Sequence, residues 1–256
     1  MTERLLRDML SYCRPHQSLT ETDFIATHIL PLGVVADSFG NYWLSISRSS
    51  GTRSRVLWSS HLDTVHLFGG RQKIYRRGDL LYAPKSECLG ADDTTGVYIM
   101  HQMILAGVPG VYVFHRGEER GCIGSRCIAF SMQHILKTIN YAIAFDRRGT
   151  DSIVTHQIGQ RTASDAFAYS LQRMLPPKYT PDNTGIYTDT ASYAGIIPEC
   201  TNLSIGYKGE HGRREKQSIS HVMGLIETLK SFDETHLLVD REPKPVELVI
   251  TTEVNS

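Results

Sequence analysis

The stretch LGADDTTGVYIM, residues 89–100, places two adjacent carboxylates, Asp92 and Asp93, in front of an apolar run. The apolar residues that follow predict a buried helix that begins near Thr94 and ends near Ala106. Asp is a favoured N-cap residue, and a negative charge near a helix N-terminus meets the positive end of the helix dipole. Capping therefore explains one aspartate, but it leaves the second one without a purpose.

The composition is that of a globular protein with balanced charge. The 256 residues are 41% hydrophobic, which is enough for one large domain. Lys plus Arg and Asp plus Glu each number 27, so no basic surplus favours nucleic acid, and we interpret the run GRRE at 212–215 as a solvated surface. No apolar run has the length of a membrane span. An odd number of cysteines, five, without a secretion signal predicts reduced thiols and a cytoplasmic location.

Short apolar strands alternate with helices along the chain. The predicted strands cover 33–36, 42–45, 56–59, 111–114, 141–145, 152–155 and 202–205. The predicted helices cover 3–12, 22–29, 94–106, 125–130, 164–174 and 218–231. This alternation predicts an α/β fold, a three-layer α/β/α sandwich around a mixed, mostly parallel sheet. We expect one domain over 1–256, with a tail from Glu234 onward that adds at most a peripheral strand.

Histidines and acidic residues follow four of the predicted strands, and the carboxyl ends of strands are where open α/β sheets bind ligands. These residues are His61, Asp63, Glu118, Glu119, Asp146 and His211. Each has a structural explanation when taken alone, as a core histidine, a solvated acidic pair or a loop residue. Together they are harder to explain, because crowded carboxylates raise one another's pKa unless a cation lies among them.

Two histidines and three carboxylates are ligands that suit zinc and similar divalent ions. Two ions about 3.5–4 Å apart can share one carboxylate, which is the arrangement of hydrolases that activate water. The chain has no HExxH, GxSxG, P-loop or GxGxxG motif. The pattern therefore favours a two-metal hydrolase over the other common enzyme classes.

Five motifs carry a resemblance to a known superfamily. They are SSHLDTVH at 59–66, LGADDTTGVYIM at 89–100, HRGEERGCIGS at 115–125, AFDRRGTD at 144–151 and NLSIGYKGEH at 202–211. In this order they resemble the metal-site motifs of the co-catalytic zinc exopeptidases, which include bacterial leucyl aminopeptidases, peptidase T, glutamate carboxypeptidase and aminoacylase. The likeness spans most of the chain.

The resemblance implies a role for each motif residue. The implied metal ligands are His61, Asp92, Glu119, Asp146 and His211. Asp92 would bridge two divalent ions, zinc in the first place, with Co²⁺ or Mn²⁺ as alternatives. Glu118 would be the general base, and Asp63 would orient the ring of His61. The peptide bond between Asp92 and Asp93 is expected to be cis.

The resemblance also implies the kind of reaction. The segment between Asp146 and His211 is too short for the lid domain of peptidase T, so we expect a bare catalytic domain closest to the single-domain aminopeptidases. The expected substrate is a short peptide or small amide, with no nucleic acid and no membrane as partner and no indication of oligomeric state. The alternatives are a carboxypeptidase, an N-acyl amino acid deacylase, or a non-catalytic binding protein. Candidate substrate contacts are Arg147, Asp189 and Tyr193.

Overall fold

A computed structural model describes residues 2–243 of the chain. Seven α-helices lie in this range: α1 (Thr2–Leu10), α2 (Leu19–Phe24), α3 (Ala91–Leu105), α4 (Ile123–Ser131), α5 (Gln133–Leu136), α6 (Asp165–Gln172) and α7 (Ile219–Leu229). A π-helical turn at Ile25–Ile29 continues α2, and 3₁₀ turns cover Leu30–Leu32, Asp189–Tyr193 and Glu234–His236. The expected strand in the tail would have to fall in 244–256, outside the described residues.

Sixteen strands, many of them short, occur in the described range. They are β1 (Tyr12–Cys13), β2 (Val35–Ala36), β3 (Tyr42–Ile46), β4 (Val56–His61), β5 (Gly70–Arg71), β6 (Tyr75–Arg77), β7 (Leu80–Tyr82), β8 (Gly110–His115), β9 (Tyr141–Arg147), β10 (Ser152–Val154), β11 (His156–Gln157), β12 (Gln160–Arg161), β13 (Thr180–Asp182), β14 (Glu199–Ser204), β15 (Tyr207–Lys208) and β16 (Lys216–Ser218).

The central sheet has eight strands in the order β13-β10-β14-β9-β4-β8-β3-β2. Its middle strands β14, β9, β4 and β8 pair in parallel, whereas β3 and β2 add antiparallel strands at one edge. Every residue of β4 and β14 is buried, as expected for strands that are covered on both faces. The prediction of a mixed, mostly parallel sheet is confirmed.

Helices cover both faces of this sheet. Along β4, Trp58 packs into the larger core with α3 and α7, whereas its neighbour Leu57 packs into the second core with α4 and α5. Successive side chains of a strand point to opposite faces, so the two cores are the two sides of a sandwich. The α/β/α architecture predicted from the sequence is therefore present.

Helix α3 lies close against the sheet because of Gly96. A Cβ atom at this position would be 2.2 Å from the carbonyl oxygen of Phe145 in β9 and 2.6 Å from Oγ of Ser60 in β4. Such distances leave no room for a side chain. The close approach places the N-terminus of α3, with Asp92, at the carboxyl ends of β4 and β9.

A small antiparallel sheet, in the order β15-β16-β7-β6, forms beside the central one. Its strands have only two or three residues each, too few to show the alternation on which strand prediction depends. The turn between β15 and β16 carries His211 and Glu215. The small sheet therefore holds the last of the predicted metal ligands against the rest of the site.

Candidate metal centre

The five predicted metal ligands lie together at the carboxyl edge of the central sheet. His61 is the last residue of β4, Asp146 lies near the end of β9, and Glu119 follows β8. Asp92 comes from the start of α3, and His211 from the turn after β15. Five separate segments of the chain thus supply one cluster.

The first half of the cluster consists of His61, Asp92 and Asp146. Nε2 of His61 lies 3.1 Å from Oδ1 of Asp92 and 3.6 Å from Oδ1 of Asp146. The other ring nitrogen, Nδ1, donates to the carbonyl oxygen of Asp63 at 2.9 Å. This hydrogen bond turns Nε2 toward the two carboxylates, which is the orientation of a metal-binding histidine.

The second half consists of Asp92, Glu119 and His211. Nε2 of His211 lies 3.0 Å from Oδ2 of Asp92 and 3.2 Å from Oε1 of Glu119. Oε1 of Glu119 is buried, and apart from this contact with His211 it has no hydrogen-bond partner among the described residues. A buried carboxylate oxygen with so little compensation fits a position that a cation satisfies.

Asp92 belongs to both halves and presents a different oxygen to each. In each half, one atom from every residue lies within 4.8 Å of the others, close enough for a single ion. The donor set of imidazole nitrogens and carboxylate oxygens suits a divalent ion such as zinc. The geometry therefore fits two ions that share the carboxylate of Asp92.

The electrostatics of the cluster indicate the same need for positive charge. Burial by itself would lower the pKa of His61, but contact with the carboxylates of Asp146, Asp63 and Asp92 raises it well above the usual value. Burial also raises the pKa of Asp146 strongly, and the charge of Asp92 adds to this increase. Without a cation, the site would gain protons at His61 and Asp146.

Asp63 connects two ligand segments by a set of contacts that the sequence does not reveal. Its buried carboxylate accepts hydrogen bonds from the backbone N–H groups of Gly117, Glu118 and Glu119, at 3.0, 3.1 and 3.2 Å. The same carboxylate is 3.6 Å from Nδ1 of His61, whose closer partner is the carbonyl oxygen of Asp63. The carboxylate of Asp63 thus lies beside the His61 ring, and it also fixes the loop that carries both glutamates.

The other aspartate of the opening motif, Asp93, links the helix to the sheet. The peptide bond between Asp92 and Asp93 is cis, as the resemblance implied. Asp92 and Asp93 have non-helical backbone angles, so the regular part of α3 begins after them. Oδ1 of Asp93 accepts from the backbone N–H of Gly96 at 3.1 Å, which is the hydrogen bond of a helix cap for this regular part. Its Oδ2 accepts from the backbone N–H of His61 at 3.0 Å, so one side chain caps α3 and holds the end of β4.

Glu215 is a buried site residue that sequence reasoning assigned to a solvated surface. It is 1% exposed, and its carboxylate accepts from the backbone N–H groups of Leu89, Gly90 and Asp92, at 2.8, 2.8 and 3.1 Å. These contacts hold the turn that presents Asp92. The neighbouring arginines in GRRE suggested a surface, and no signal in the sequence distinguishes this glutamate from an exposed one.

Glu118 lies at the edge of both halves of the cluster. Its Oε2 is 3.9 Å from Nε2 of His61, and its Oε1 accepts from the thiol of Cys122 at 3.3 Å. Burial raises the pKa of Glu118 to about 8, with further increases from the charges of Asp189, Glu119 and Asp92. The carboxylate also lines a cleft of about 280 Å³ together with Asp92 and Asp146, which we call the metal cleft.

The three candidate substrate residues lie in different surroundings. Arg147 lines the metal cleft, but its guanidinium donates to Asp182 at 3.1 Å and to Oγ1 of Thr184 at 2.9 Å. Asp189 and Tyr193 are buried behind the cleft, where each contacts the ring of His115, at 3.3 and 2.7 Å. Of these three, Arg147 borders the space that a substrate would enter.

Comparison with known sequences gives no further assignment. No family model matches the chain, and no curated protein sequence matches it. Among the described residues, no helix is long and apolar enough to cross a membrane. Any similarity to known proteins therefore lies in the fold.

Solved structures do share the fold. Aminopeptidase PepT from Bacillus cereus superposes with a TM-score of 0.72 at 14% identity, over 89% of this chain and 95% of that protein. An aminopeptidase from the archaeon Desulfurococcus kamchatkensis gives 0.66 at 14% identity, over 90% and 93% of the two chains. The LapA aminopeptidase of Legionella pneumophila gives 0.60 at 17% identity, over 93% of this chain and 69% of LapA. The chain therefore has the fold that these three aminopeptidases have in common.

Proposed function

We propose that the protein is a two-metal hydrolase that removes residues from the amino terminus of short peptides. The observation that carries this proposal is the carboxylate of Asp92, whose two oxygens each face a separate group of ligands. Support comes from the fold, which is shared with proteins described as aminopeptidases. The ligands would be His61, Asp92 and Asp146 for one ion, and Asp92, Glu119 and His211 for the other.

The chemistry follows from the positions of the side chains. Divalent ions, when bound, lower the pKa of water and polarise a carbonyl group. Glu118 borders the same cleft and belongs to neither of the two ligand groups that contain Asp92, so its carboxylate is available to accept a proton from water and donate it to the departing amine. The N–H groups that Asp63 holds fix the backbone of this loop, so Glu118 needs little reorganisation during the reaction.

The arginines of the metal cleft favour an amino-terminal substrate over a carboxy-terminal one. Arg147 is paired with Asp182, and Arg148 is paired with Glu210 at 2.8 Å. A carboxypeptidase or a deacylase acting on N-acyl amino acids needs a cation that is available for the substrate carboxylate. Both candidates in this cleft already have acidic partners, so a carboxylate would have to displace them.

The identity of the metal and the compartment form part of the proposal. We infer zinc because the ligands are two imidazole nitrogens and three carboxylates, with Co²⁺ or Mn²⁺ as alternatives. A cytoplasmic location is supported by the five cysteines, all of which are unpaired in the structure.

The test combines metal reconstitution with turnover. The purified protein would be stripped with a chelator, supplied with zinc, and assayed on aminoacyl anilides, dipeptides and N-acyl amino acids. We expect hydrolysis of the aminoacyl substrates, with activity that is lost on chelation and restored by metal. The variant Glu118→Gln should keep the metal and lose at least about 100-fold in kcat. Wild-type-like turnover by this variant would contradict the assignment of the base.

A further inference from the structure

A second cavity lies next to the metal cleft. It has a volume of about 550 Å³, and its lining includes Ile158, Tyr187, Ala191 and Ala194. Tyr187 also lines the metal cleft, so one aromatic side chain separates the two spaces. We call this second space the side cavity. None of the predicted catalytic or metal-binding residues lines it.

The rim between the two spaces is unusually apolar for an exposed surface. Ile158 is 65% exposed, Ile186 is 67% exposed and Tyr187 is 40% exposed. Ile186 lines the metal cleft and Ile158 lines the side cavity, with Tyr187 lining both. Single exposed apolar residues are common, but three of them bordering adjacent concave spaces indicate a surface that binds a ligand.

The backbone around the side cavity is held in place by buried contacts. The side chain of Gln157 accepts from the backbone N–H of Thr188 at 3.2 Å and donates to Oγ1 of Thr190 at 3.2 Å. Gly185 approaches the hairpin of β11 and β12 so closely that a Cβ atom there would lie 2.3 Å from the carbonyl oxygen of His156. These contacts fix the hairpin against the segment with Ile186 and Tyr187, so the cavity is formed before a ligand binds.

Ile158 has an unusual backbone conformation for its residue type. It is the first residue of the two-residue turn between β11 and β12, and its φ angle is 48°. Glycine and asparagine are the residues that such a turn favours, whereas a β-branched residue with positive φ is a clear outlier. An isoleucine is therefore conformationally unfavourable here, which suggests that its apolar side chain has a purpose at the rim.

The cationic residues around the side cavity leave little for an anionic ligand. Arg241 donates to four backbone carbonyl oxygens, those of Thr162, Ala194, Ile197 and Glu242. Arg161 pairs with Asp165 at 2.9 Å. Since both cations already have partners, an anionic ligand would have to displace them, whereas the apolar side chains at the rim are free to contact a ligand.

We propose that the side cavity binds the apolar side chain of the residue that follows the scissile bond. This assignment rests on the proposed aminopeptidase function, in which the first residue of the peptide occupies the metal cleft. An extended peptide advances about 3.3–3.6 Å per residue, so consecutive residues reach neighbouring spaces. Tyr187, which borders both spaces, would contact the substrate on either side of the bond that is cut.

The experiment compares two peptides that differ only in the second residue, Ala-Leu-Ala and Ala-Asn-Ala. Their binding to the full-length protein is measured by calorimetry in the presence of a chelator, so that binding is read without turnover. The same peptides are then assayed for kcat and KM after zinc is added. The test variant is Ile158→Asn, because asparagine suits the turn and should not lower the melting temperature. The matched control is Leu105→Asn, which replaces an exposed leucine at the end of α3.

We expect wild-type protein to bind the leucine peptide about tenfold more tightly than the asparagine peptide. The kcat/KM values of the two peptides should differ by a similar ratio, because KM differs between them and kcat does not. Ile158→Asn should reduce this ratio to about threefold or less, while Leu105→Asn should keep it. Equal binding of both peptides by wild-type protein would overturn the proposal, as would a ratio that Ile158→Asn leaves unchanged. A binding preference without hydrolysis would refute the aminopeptidase function and leave the side cavity as an apolar binding site.

Discussion

Replacement of Asp63 should loosen the loop that carries Glu118 and Glu119. Its carboxylate accepts three backbone hydrogen bonds, two through Oδ1 and one through Oδ2. At about 1 kcal/mol for each hydrogen bond, Asp63→Ala should lose about 3 kcal/mol of unfolding free energy. For a chain of this size, that corresponds to a decrease of about 6–12 °C in melting temperature.

The variant Asp63→Asn gives an intermediate case. Its amide oxygen can still accept from two N–H groups, but the amide nitrogen cannot accept the hydrogen bond from Glu119. The expected loss is therefore about 1 kcal/mol. In both variants, kcat should fall by about 100-fold because a small displacement of Glu118 from its productive position slows the reaction strongly.

The assay is thermal unfolding followed by circular dichroism in chelator, together with kcat on an aminoacyl anilide after zinc is added. The matched control is Asp23→Ala, an exposed aspartate on α2. The reasoning predicts the order control, Asn variant, Ala variant for the loss of stability. If Asp63→Ala melts at the same temperature as Asp23→Ala, the carboxylate does not hold the loop and the reasoning is wrong.

Three further substitutions test other parts of the site. Gly96→Ala should yield unfolded or insoluble protein in expression trials, because its methyl group would lie 2.2 Å from the carbonyl oxygen of Phe145; a normal melting curve would contradict this packing. Glu215→Gln should weaken zinc binding about 10- to 100-fold in a competition titration against a chelator, because the carboxylate of Glu215 supports the turn that carries Asp92. Unchanged zinc affinity would refute that role. Hydrogen bonds from Thr184 and the charge of Arg147 lower the pKa of Asp182 to about 2, although partial burial opposes this. Its stabilising contribution is therefore present above about pH 4 and lost as the pH falls toward 2. The melting temperature of Asp182→Asn should accordingly lie below that of wild type at pH 6 and approach it in acid, and a gap that stays constant with pH would contradict the assignment.

The convergence of the candidate ligands at one sheet edge was predictable from the sequence because each of them adjoins a recognisable element. His61 and Asp146 end apolar strands, and Asp92 precedes a long apolar helix. Strand ends and helix starts can be located from residue patterns alone, and the order of the five motifs supplied the rest. The sandwich architecture followed from the same alternation of strands and helices.

The contacts that support the ligands were not predictable in this way. Glu215 is buried only because β16, a strand of three residues, pairs with β7, far away in the sequence. Asp63 was expected to orient the His61 ring, and its three hydrogen bonds to the glutamate loop depend on how β4 and β8 are aligned. Both carboxylates act on backbone N–H groups, which carry no side-chain signature in the sequence.

The side cavity was also not predictable from the sequence. Ile158 reads as an ordinary apolar residue in the sequence, and only its backbone angle and its exposure set it apart. Ile186 and Tyr187 belong to the segment GIYTDTASY at 185–193. The sequence indicated Asp189 and Tyr193 as candidate substrate contacts in this segment, but it did not indicate the exposed apolar pair that precedes them. Substrate contacts of this kind require the three-dimensional arrangement.

The central claim is that one chain holds two metal ions that share Asp92. The most direct measurement is the zinc content after equilibrium dialysis, determined by elemental analysis for wild type and for His211→Ala. His211 belongs to one half only, so its loss should leave the group of His61, Asp92 and Asp146 intact. We expect about two zinc ions per chain for wild type and about one for the variant. Wild-type protein that binds no zinc, or a single ion unaffected by His211→Ala, would contradict the shared-carboxylate centre.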